Sequence, residues 1–307
     1  MRELSTGEND RIMQIEYRDS TSILTEASGF LEGYTHTINP AIGCLHGGGA
    51  CGVSCYAQFL NAHLFRNKNR ASNPLGEWGT YLVVKQNSVP LLENEFMKAS
   101  RRNPVHPFHI SKLKIFASPA TEPLLAQTLD IYRGWLNLAA QYPIRKWVIQ
   151  TRSPLILHLK DDVERLGNKC CISFTLETDS DSRFTAIAPT GSPLPSQRRR
   201  VVEELKTWNT AVSLAVSPAL PLENIEAFAD WISNNVEYAL VDTFLAGDGS
   251  AGIRTGGRSK TPEIFRANGW DWRDETEAKN LFRMLQDRMG NRVKWSQEGF
   301  ICLAELE

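Results

Sequence analysis

The chain has 307 residues, 42% of them apolar, and its 34 basic and 35 acidic side chains leave a formal net charge of −1. This composition is typical of a globular protein with enough apolar residues for one large core or two modest ones, and it excludes a disordered or fibrous chain. The near-neutral charge gives no overall basic field to attract nucleic acid, and no apolar run approaches the ~20 residues of a membrane helix.

Helix and strand patterns alternate along the chain after a polar N-terminal extension over residues 1–36. In chain order they predict strand Thr37–Ile42, helix Tyr56–Phe65, an irregular stretch over 67–88, helix Val89–Ser100, strand Leu113–Ala117, helix Leu124–Gln141, strand Lys146–Gln150, helix Leu155–Leu166, strand Cys170–Leu176, helix Gln197–Trp208, strand Ala211–Val216, helix Leu222–Ser233 and strand Tyr238–Thr243. Six strands alternating with helices are typical of a parallel α/β sheet or barrel, and periodicity alone does not distinguish the two.

A C-terminal extension over residues 246–307 follows this α/β region of residues 37–245. It begins with the glycine-rich loop 247–257, whose spacing matches no phosphate-binding fingerprint. We interpret this loop as a surface loop or an active-site loop. Residues 274–289 are predicted to be helical, and the apolar side chains within 293–306 predict a segment that packs on the barrel.

Three cysteines lie close together in a glycine-rich stretch, at positions 44, 51 and 55. The N-terminus lacks an apolar targeting core, so we expect a cytoplasmic and reducing environment. There, such a cluster indicates a metal or iron–sulfur site rather than disulfides, with Cys44, Cys51 and Cys55 as ligands. Three thiolates suit an iron–sulfur cluster with one iron open to another ligand, whereas His46 would complete a Cys₃His zinc site.

The remaining cysteines are interpreted as structural. Cys170 and Cys171 open an apolar strand and are predicted to be buried, and Cys302 is expected to be a core residue. Basic side chains also cluster locally, as in residues 198–200. We expect each such cluster to be a solvated helix end or face.

Polar side chains follow the predicted strands. Because ligands of parallel α/β proteins bind at the carboxyl ends of the strands, these residues are candidates for a site. A Ser or Thr at such a position also commonly caps a helix, which is the structural alternative. The candidates are Thr121, Glu122, Thr151, Arg152, Ser153, Ser173, Thr175, Glu177, Asp179, Ser217, Asp242 and Thr243.

The order of these motifs resembles that of radical S-adenosylmethionine (SAM) enzymes of the spore photoproduct lyase-like group. The matching segments lie between about residues 20 and 245 and are Thr37–Pro40, Gly43–His46, Cys55–Ala57, Thr121–Pro123, Gln150–Ser153, Ser173–Thr175 and Thr178–Asp179. The group's CxxxCxxC triplet is C-x6-C-x3-C here, and the glycines at 47 to 49 permit the backbone angles of a longer loop.

Three further positions depart from the group. Its Thr-Asp motif is Thr121-Glu122 in this chain, and its Thr-Lys-Ser motif is Thr-Arg-Ser, with Arg152 in the middle. Ala120 stands where the true lyases have a hydrogen-donating cysteine. This difference argues against photoproduct repair itself.

The resemblance implies a partial (β/α)6 TIM-like barrel with N- and C-terminal extensions, and an enzyme that reductively cleaves SAM to a 5′-deoxyadenosyl radical. It implies that Cys44, Cys51 and Cys55 hold a [4Fe-4S] cluster, reduced by an electron donor such as flavodoxin or ferredoxin. The residues implied to contact SAM are Tyr56, Thr121, Glu122, Arg152, Ser153, Ser173 and Thr175. The substrate is not implied, although the group's name suggests nucleic acid, and no membrane partner is expected.

Alternatives stay open at this point. The chain also fits a zinc- or cluster-stabilised nucleic-acid-binding protein without turnover, or a degenerate barrel that binds SAM without cleaving it. Arg152 and Glu177 could form a buried ion pair, or Glu177 and Asp179 could meet the substrate. Tyr56 could be a packed core aromatic instead of a neighbour of the adenine ring.

Overall fold

The computed structural model describes residues 14–48, 55–59, 78–187 and 191–306. The strands in these ranges form an eight-stranded sheet, here called the main sheet, and a three-stranded sheet, here called the small sheet. They are β1 (Gln14–Arg18), β2 (Leu24–Glu26), β3 (His36–Ile38), β4 (Ala41–Gly43), β5 (Tyr81–Lys85), β6 (Lys114–Ala117), β7 (Lys146–Thr151), β8 (Cys170–Thr175), β9 (Ala211–Val216), β10 (Tyr238–Val241) and β11 (Val293–Trp295).

The α-helices of the described residues mostly follow the strands of the main sheet. They are α1 (Ser88–Ser100), α2 (Leu129–Gln141), α3 (Lys160–Leu166), α4 (Asp181–Ile187), α5 (Pro195–Leu205), α6 (Ile225–Asn235), α7 (Phe244–Gly247), α8 (Ile253–Arg258), α9 (Thr261–Ala267), α10 (Thr276–Met289) and α11 (Ser296–Cys302). None of these described helices combines the length and the apolar character that a bilayer-spanning helix needs.

The topology of the main sheet confirms the predicted partial barrel. Its order is β11-β10-β9-β8-β7-β6-β3-β2, and β3, β6, β7, β8, β9 and β10 are the six predicted parallel strands, adjacent in chain order. Beyond them, β11 adds a parallel strand next to β10, and β2 adds an antiparallel strand next to β3. Because the six strands are parallel, their carboxyl ends lie along one edge of the sheet.

Side chains alternate between the two faces of the main sheet, and both faces are covered. On the outer face, Ile172 and Phe174 of β8 belong to the large core that the helices complete, with Trp135 of α2 among its members. On the inner face, Cys171 of β8 packs in a smaller cluster with Phe300 of α11. A strand covered on both faces reads as a continuous apolar run, which explains why β8 was readily predicted.

The C-terminal helix α11 reaches the inner face through a close approach at Gly299. A Cβ atom built there would lie 2.5 Å from the Cβ atom of Leu240 in β10, so a larger residue would push the helix away. Tyr34 also donates a hydrogen bond to the carbonyl of Phe300, over 2.7 Å. The end of the chain therefore packs against the sheet, while the domain boundaries at 36 and 245 stay predictions.

The predicted strand Thr37–Ile42 is wrong as one element, because it is divided into β3 and β4 in different sheets. Asn39 and Pro40 separate the two strands. The Asn39 side chain accepts the N–H of Ala120 over 3.0 Å, and Pro40 has no N–H to continue a ladder. At this point the chain passes from the main sheet to the small sheet, and the cysteine stretch begins directly after β4.

The prediction of an irregular stretch over 67–88 is wrong where β5 lies. Residues Tyr81 to Val84 are all buried, and β5 pairs with β1 and β4 in the small sheet. The neighbouring Asn and Gly residues favour an irregular stretch, and an apolar run of this length is too short to indicate a strand on its own. Residues 60–77, with most of the predicted helix Tyr56–Phe65, lie outside the described residues, and Tyr56–Phe59 form a short 3₁₀ helix.

Candidate active site

One of the two described cysteines of the triplet lines a pocket at the carboxyl edge of the main sheet. Cys44 follows β4 directly and is 3% exposed, and Cys55 is half-buried and lines the pocket. Cys51, the third predicted ligand, lies outside the described residues. Among the residues that are described, no group of three His, Cys, Asp or Glu side chains is arranged to hold a metal ion.

The two ends of the cysteine stretch are described, and both form hydrogen bonds with the segment that follows β6. The Thr121 hydroxyl donates to the carbonyl of Gly43 over 2.5 Å, just before the first cysteine. The Tyr56 hydroxyl donates to the carbonyl of Pro119 over 2.5 Å, just after the last cysteine. Two separate motifs of the sequence therefore form one hydrogen-bonded unit that sets the entry and the exit of the stretch.

Gly43 is required where the chain enters the cysteine stretch. Its φ of +88° lies in the left-handed region that favours glycine, and a Cβ atom built there would lie 2.4 Å from the carbonyl oxygen of Tyr81. The close approach joins the end of β4 to β5. A side chain at position 43 would displace the backbone that leads directly to Cys44.

Glu122 is buried and uses its carboxylate within the protein. One oxygen accepts from the Thr151 hydroxyl over 2.5 Å and from the N–H of Leu124 over 3.0 Å, and the other accepts from the N–H of Arg152 over 3.1 Å. Burial raises the pKa of Glu122, although these hydrogen bonds oppose the rise. Glu122 therefore links the end of β6 to the end of β7.

Arg152, directly after β7, forms a buried ion pair with Glu177, as the structural alternative anticipated. Glu177 pairs through its other oxygen with Arg198 of α5, which is 0% exposed and lies 4.7 Å above the ring of Phe184. Burial alone would raise the pKa of Glu177, but the two guanidinium groups lower it overall. Arg152 and Glu177 both line the pocket, so this triad forms one of its walls.

The prediction that Arg198 belongs to a solvated helix face is wrong. A signal for its burial exists in the sequence, because Arg198, Val201, Val202 and Leu205 follow the i, i+3, i+4, i+7 spacing of one helix face. All four are buried in α5. Three consecutive arginines favour an exposed segment, because runs of like charge are usually exposed, and the apolar spacing around them was therefore not used to predict burial.

A row of polar side chains crosses the sheet below the pocket. Gln150, Ser173 and Ser213 are register partners on β7, β8 and β9. The Ser173 and Ser213 hydroxyls and the Gln150 carbonyl oxygen are buried with no hydrogen-bond partner in the described part of the chain. The Gln150 amide donates to the Thr175 hydroxyl over 2.7 Å, one layer closer to the pocket.

Two other candidates have the capping role that their position allows. The Ser153 hydroxyl accepts the N–H of Leu155 over 3.2 Å and caps the 3₁₀ helix Pro154–Leu159. The Asp179 carboxylate accepts the N–H groups of Glu223 and Asn224, each over 2.7 Å, at the start of α6. Both side chains therefore hold the helices that follow the strands.

The opposite wall of the pocket is built around Asp242, directly after β10, which is 2% exposed. Its carboxylate accepts from the Ser217 hydroxyl over 3.1 Å and from the N–H of Thr243 over 2.9 Å, and also from Ser296. Burial raises the pKa of Asp242 to about 6. The sequence placed Asp242 at a strand end but gave no reason to prefer it to its neighbours.

The glycine-rich loop 247–257 closes this wall, with Gly247, Asp248 and Thr255 lining the pocket. The Asp248 carboxylate accepts the N–H groups of Ser250, Gly252, Arg254 and Thr255 at 2.7 to 3.2 Å. These backbone donors are therefore occupied by the loop's own carboxylate rather than presented to a phosphate. The prediction of one loop over 247–257 is wrong at Gly247 and over 253–257, which belong to α7 and α8, and its role as an active-site loop stays a prediction.

His46 lies in a short 3₁₀ helix after Cys44. Burial, together with the positive charges of Arg152 and Arg198, lowers the pKa of His46 to about 4. The imidazole is therefore neutral at physiological pH. Its Nδ1 atom is buried without a hydrogen-bond partner among the described residues.

No protein-family model matches the sequence, and no curated protein matches it. Solved structures of spore photoproduct lyase match the fold. A double mutant with bound AdoMet and dinucleoside spore photoproduct gives a TM-score of 0.58 at 12% identity, covering 92% of this chain and 81% of that chain. The lyase complexed with dinucleoside spore photoproduct gives the same values. A single-site mutant gives 0.56 at 13% identity over the same shares. The likeness confirms the predicted spore photoproduct lyase-like fold.

Proposed function

We propose that the protein is a radical SAM enzyme in which Cys44, Cys51 and Cys55 hold a [4Fe-4S] cluster and SAM binds in the adjoining pocket. The observation that carries the proposal is the position of the cysteine stretch. The stretch begins after Gly43, at the end of β4, and ends at Cys55. Cys55 lies beside a pocket at the carboxyl edge of a parallel sheet, where α/β proteins bind ligands. A lyase of the same fold has been solved with AdoMet bound.

The donor atoms beside the pocket suit this cofactor. Thiolate ligands select iron–sulfur clusters or zinc over hard cations. Cys55 lines the pocket, and Cys44 begins the same cysteine stretch directly after β4. His46 is neutral and follows Cys44 by two residues, which keeps the zinc alternative chemically possible. When bound, the cluster and SAM supply a 5′-deoxyadenosyl radical that abstracts a hydrogen atom from a substrate.

In this proposal, two residues that line the pocket and two hydroxyl groups of β8 contact SAM. Arg152 offers a planar guanidinium group to the methionine carboxylate, and Glu177 holds that group in orientation. The Tyr56 ring, 37% exposed next to Cys55, lies against the adenine. Ser173 and Thr175 offer hydroxyl groups from β8.

Thr121, Glu122 and Ser153 have a positioning role in the same proposal. The polar atoms of these three side chains bond other parts of the chain, as described above. Thr121 fixes the entry of the cysteine stretch, whereas Glu122 holds the backbone of Arg152. We therefore expect these residues to act on SAM through Cys44 and Arg152.

The test is anaerobic reconstitution with iron and sulfide, followed by dithionite and SAM, with 5′-deoxyadenosine measured by chromatography. Dithionite replaces the flavodoxin or ferredoxin that we propose as the reductant. The parent is compared with Cys44→Ala, Cys51→Ala and Cys55→Ala. Cys302→Ala is the matched control, because it removes a half-buried thiol of α11 outside the triplet.

The expected result is 5′-deoxyadenosine from the parent and the Cys302→Ala control, and none from the three triplet variants. Iron, sulfide and zinc contents are measured on the same samples. A parent that refuses iron and holds one zinc would contradict the proposal and favour a zinc-stabilised protein without turnover. A parent that holds the cluster and binds SAM without cleaving it would favour a degenerate barrel.

A further inference from the structure

Asp242 is a buried carboxylate that forms no ion pair within the described residues. The nearby acid Glu275 contributes to the raised pKa of Asp242. With a pKa of about 6, Asp242 is mostly ionised at neutral pH. A negative charge is therefore held in the pocket wall without a described counter-ion.

The other acids of the pocket differ from Asp242 in this respect. The negative charge of Glu177 is balanced by ion pairs with Arg152 and Arg198. Asp248 is surrounded by the N–H groups of its own loop. Asp242 accepts from two hydroxyl groups and one backbone N–H, which orient the carboxylate but carry no positive charge.

Asp242 lines the pocket, and its carboxylate is closely packed on one side. Gly247 covers one side so closely that a Cβ atom built there would lie 2.0 Å from Oδ2. Leu220, Phe244 and Pro218 add apolar surface to the same end of the pocket. An ionised carboxylate among apolar side chains is costly unless a cation pairs with it.

We propose that the Asp242 end of the pocket binds an ammonium or guanidinium group of the substrate, with the apolar part of the same molecule against Leu220 and Phe244. The inference names the substrate class of the proposed enzyme and so rests on the proposed function. A phosphodiester does not fit this end, because it would meet a carboxylate. Arg152, the one described cation of the pocket lining, follows β7 rather than β10.

Two molecules of the proposed reaction carry a cation that suits Asp242, namely the substrate and SAM, which has an ammonium group. Asp242 and Ser217 follow β10 and β9, whereas Cys55 and Arg152 line the pocket from the cysteine stretch and β7. Three strands, β8, β9 and β10, lie on the Asp242 side of β7. This separation assigns Asp242 to the substrate, and the experiment distinguishes the two sources directly.

Binding is measured by NMR titration of the full chain, as purified and after anaerobic reconstitution, with benzylammonium, benzyl alcohol and benzoate. These probes share one apolar ring and differ in charge. Asp242→Asn keeps the shape of the side chain and removes the charge, and SAM binding is titrated on the same samples. Asp161→Asn, at an exposed site of α3, is the matched control.

The expected result is that benzylammonium binds the parent about tenfold or more tightly than benzyl alcohol, that benzoate does not bind, and that Asp242→Asn removes the preference. SAM affinity and the Asp161→Asn control should stay unchanged. Equal binding of amine and alcohol by the parent, which involves no variant, would overturn the inference, as would an absence of amine binding. A loss of SAM affinity in Asp242→Asn would assign the carboxylate to SAM instead. Amine binding does not depend on SAM cleavage, so this test and that of the proposed function fail separately.

Discussion

Replacing Glu177 by Gln should be the most damaging single change in the arginine triad. Its two oxygens pair with Arg152 and Arg198, and the exposed fractions of the three side chains are 4%, 14% and 0%. Removing one partner of a buried ion pair costs about 3–5 kcal/mol, because a buried charge loses its compensation. Glu177→Gln removes the carboxylate that both guanidinium groups share, so we expect the free energy of unfolding to fall by an amount in the upper part of this range.

Changing one arginine should cost less than changing the shared acid. Arg152→Met leaves Glu177 paired with Arg198, and Met retains much of the apolar stem of Arg. The loss is then that of one hydrogen bond to a charged group, about 1.5–3 kcal/mol. The expected order of stability is therefore parent, then Arg152→Met, then Glu177→Gln.

The assay is equilibrium unfolding in urea, compared through free energies at constant m-value. Glu93→Gln is the matched control, since Glu93 is exposed on α1, and surface substitutions usually stay within about 0.5 kcal/mol. The reasoning is refuted if Glu177→Gln costs no more than Arg152→Met. That result would mean that the shared carboxylate does not offset the burial of the two guanidinium groups.

Three further predictions concern single sites. Burial raises the pKa of Asp242 from 3.8 to about 6, so the folded parent binds this proton more tightly than the unfolded chain. The stability of the parent relative to Asp242→Asn should therefore fall by about 2 kcal/mol as pH rises from about 4 to about 6. Urea unfolding of both proteins across that range measures the slope, and a rise with pH would contradict it. Gly247→Ala should lower the free energy of unfolding by about 1–3 kcal/mol, because its Cβ would lie 2.0 Å from Asp242 Oδ2. A Cβ atom at Gly257 of α8 meets nothing within 4 Å, so Gly257→Ala should raise the free energy of unfolding by about 0.5–1 kcal/mol. Equal shifts of the two thermal midpoints would argue against the close approach. Thr121→Val removes the hydroxyl that binds the Gly43 carbonyl and should lower both stability, by about 1–3 kcal/mol, and the iron retained after reconstitution; unchanged iron content would separate this hydrogen bond from cofactor binding.

The parallel α/β arrangement of the main sheet could be predicted because its signal is local and repeated. Strands β6 to β9 are each a short apolar run followed by a helical pattern, as in Cys170–Thr175 before Pro195–Leu205. The small sheet could not be predicted in the same way. It joins β1, β5 and β4, which are far apart in the sequence, and Asn39-Pro40 between β3 and β4 is only a weak signal of a change of sheet.

The roles of the polar strand-end residues could not be read from the sequence, because they depend on which strand ends are neighbours. Thr121, Glu122 and Arg152 have similar positions in the pattern. In the structure, β6 lies next to β7, so Glu122 reaches the N–H of Arg152 and becomes a link between strands. Arg152 instead meets Glu177, which follows the next strand along the sheet, and α5 then supplies Arg198 from outside the strand-end pattern.

The charges of the pocket follow from the same strand order. Glu177, after β8, pairs with Arg152 after β7 and with Arg198 of α5, so this triad contains two positive charges and one negative charge. Asp242, after β10, lies beyond β9, whose strand end offers Ser217 rather than a cation. An anionic group of a ligand is therefore favoured at the first wall and a cationic group at the second. The methionine carboxylate of SAM suits the first wall, so a substrate that fills the remaining space is expected to present its positive end to Asp242.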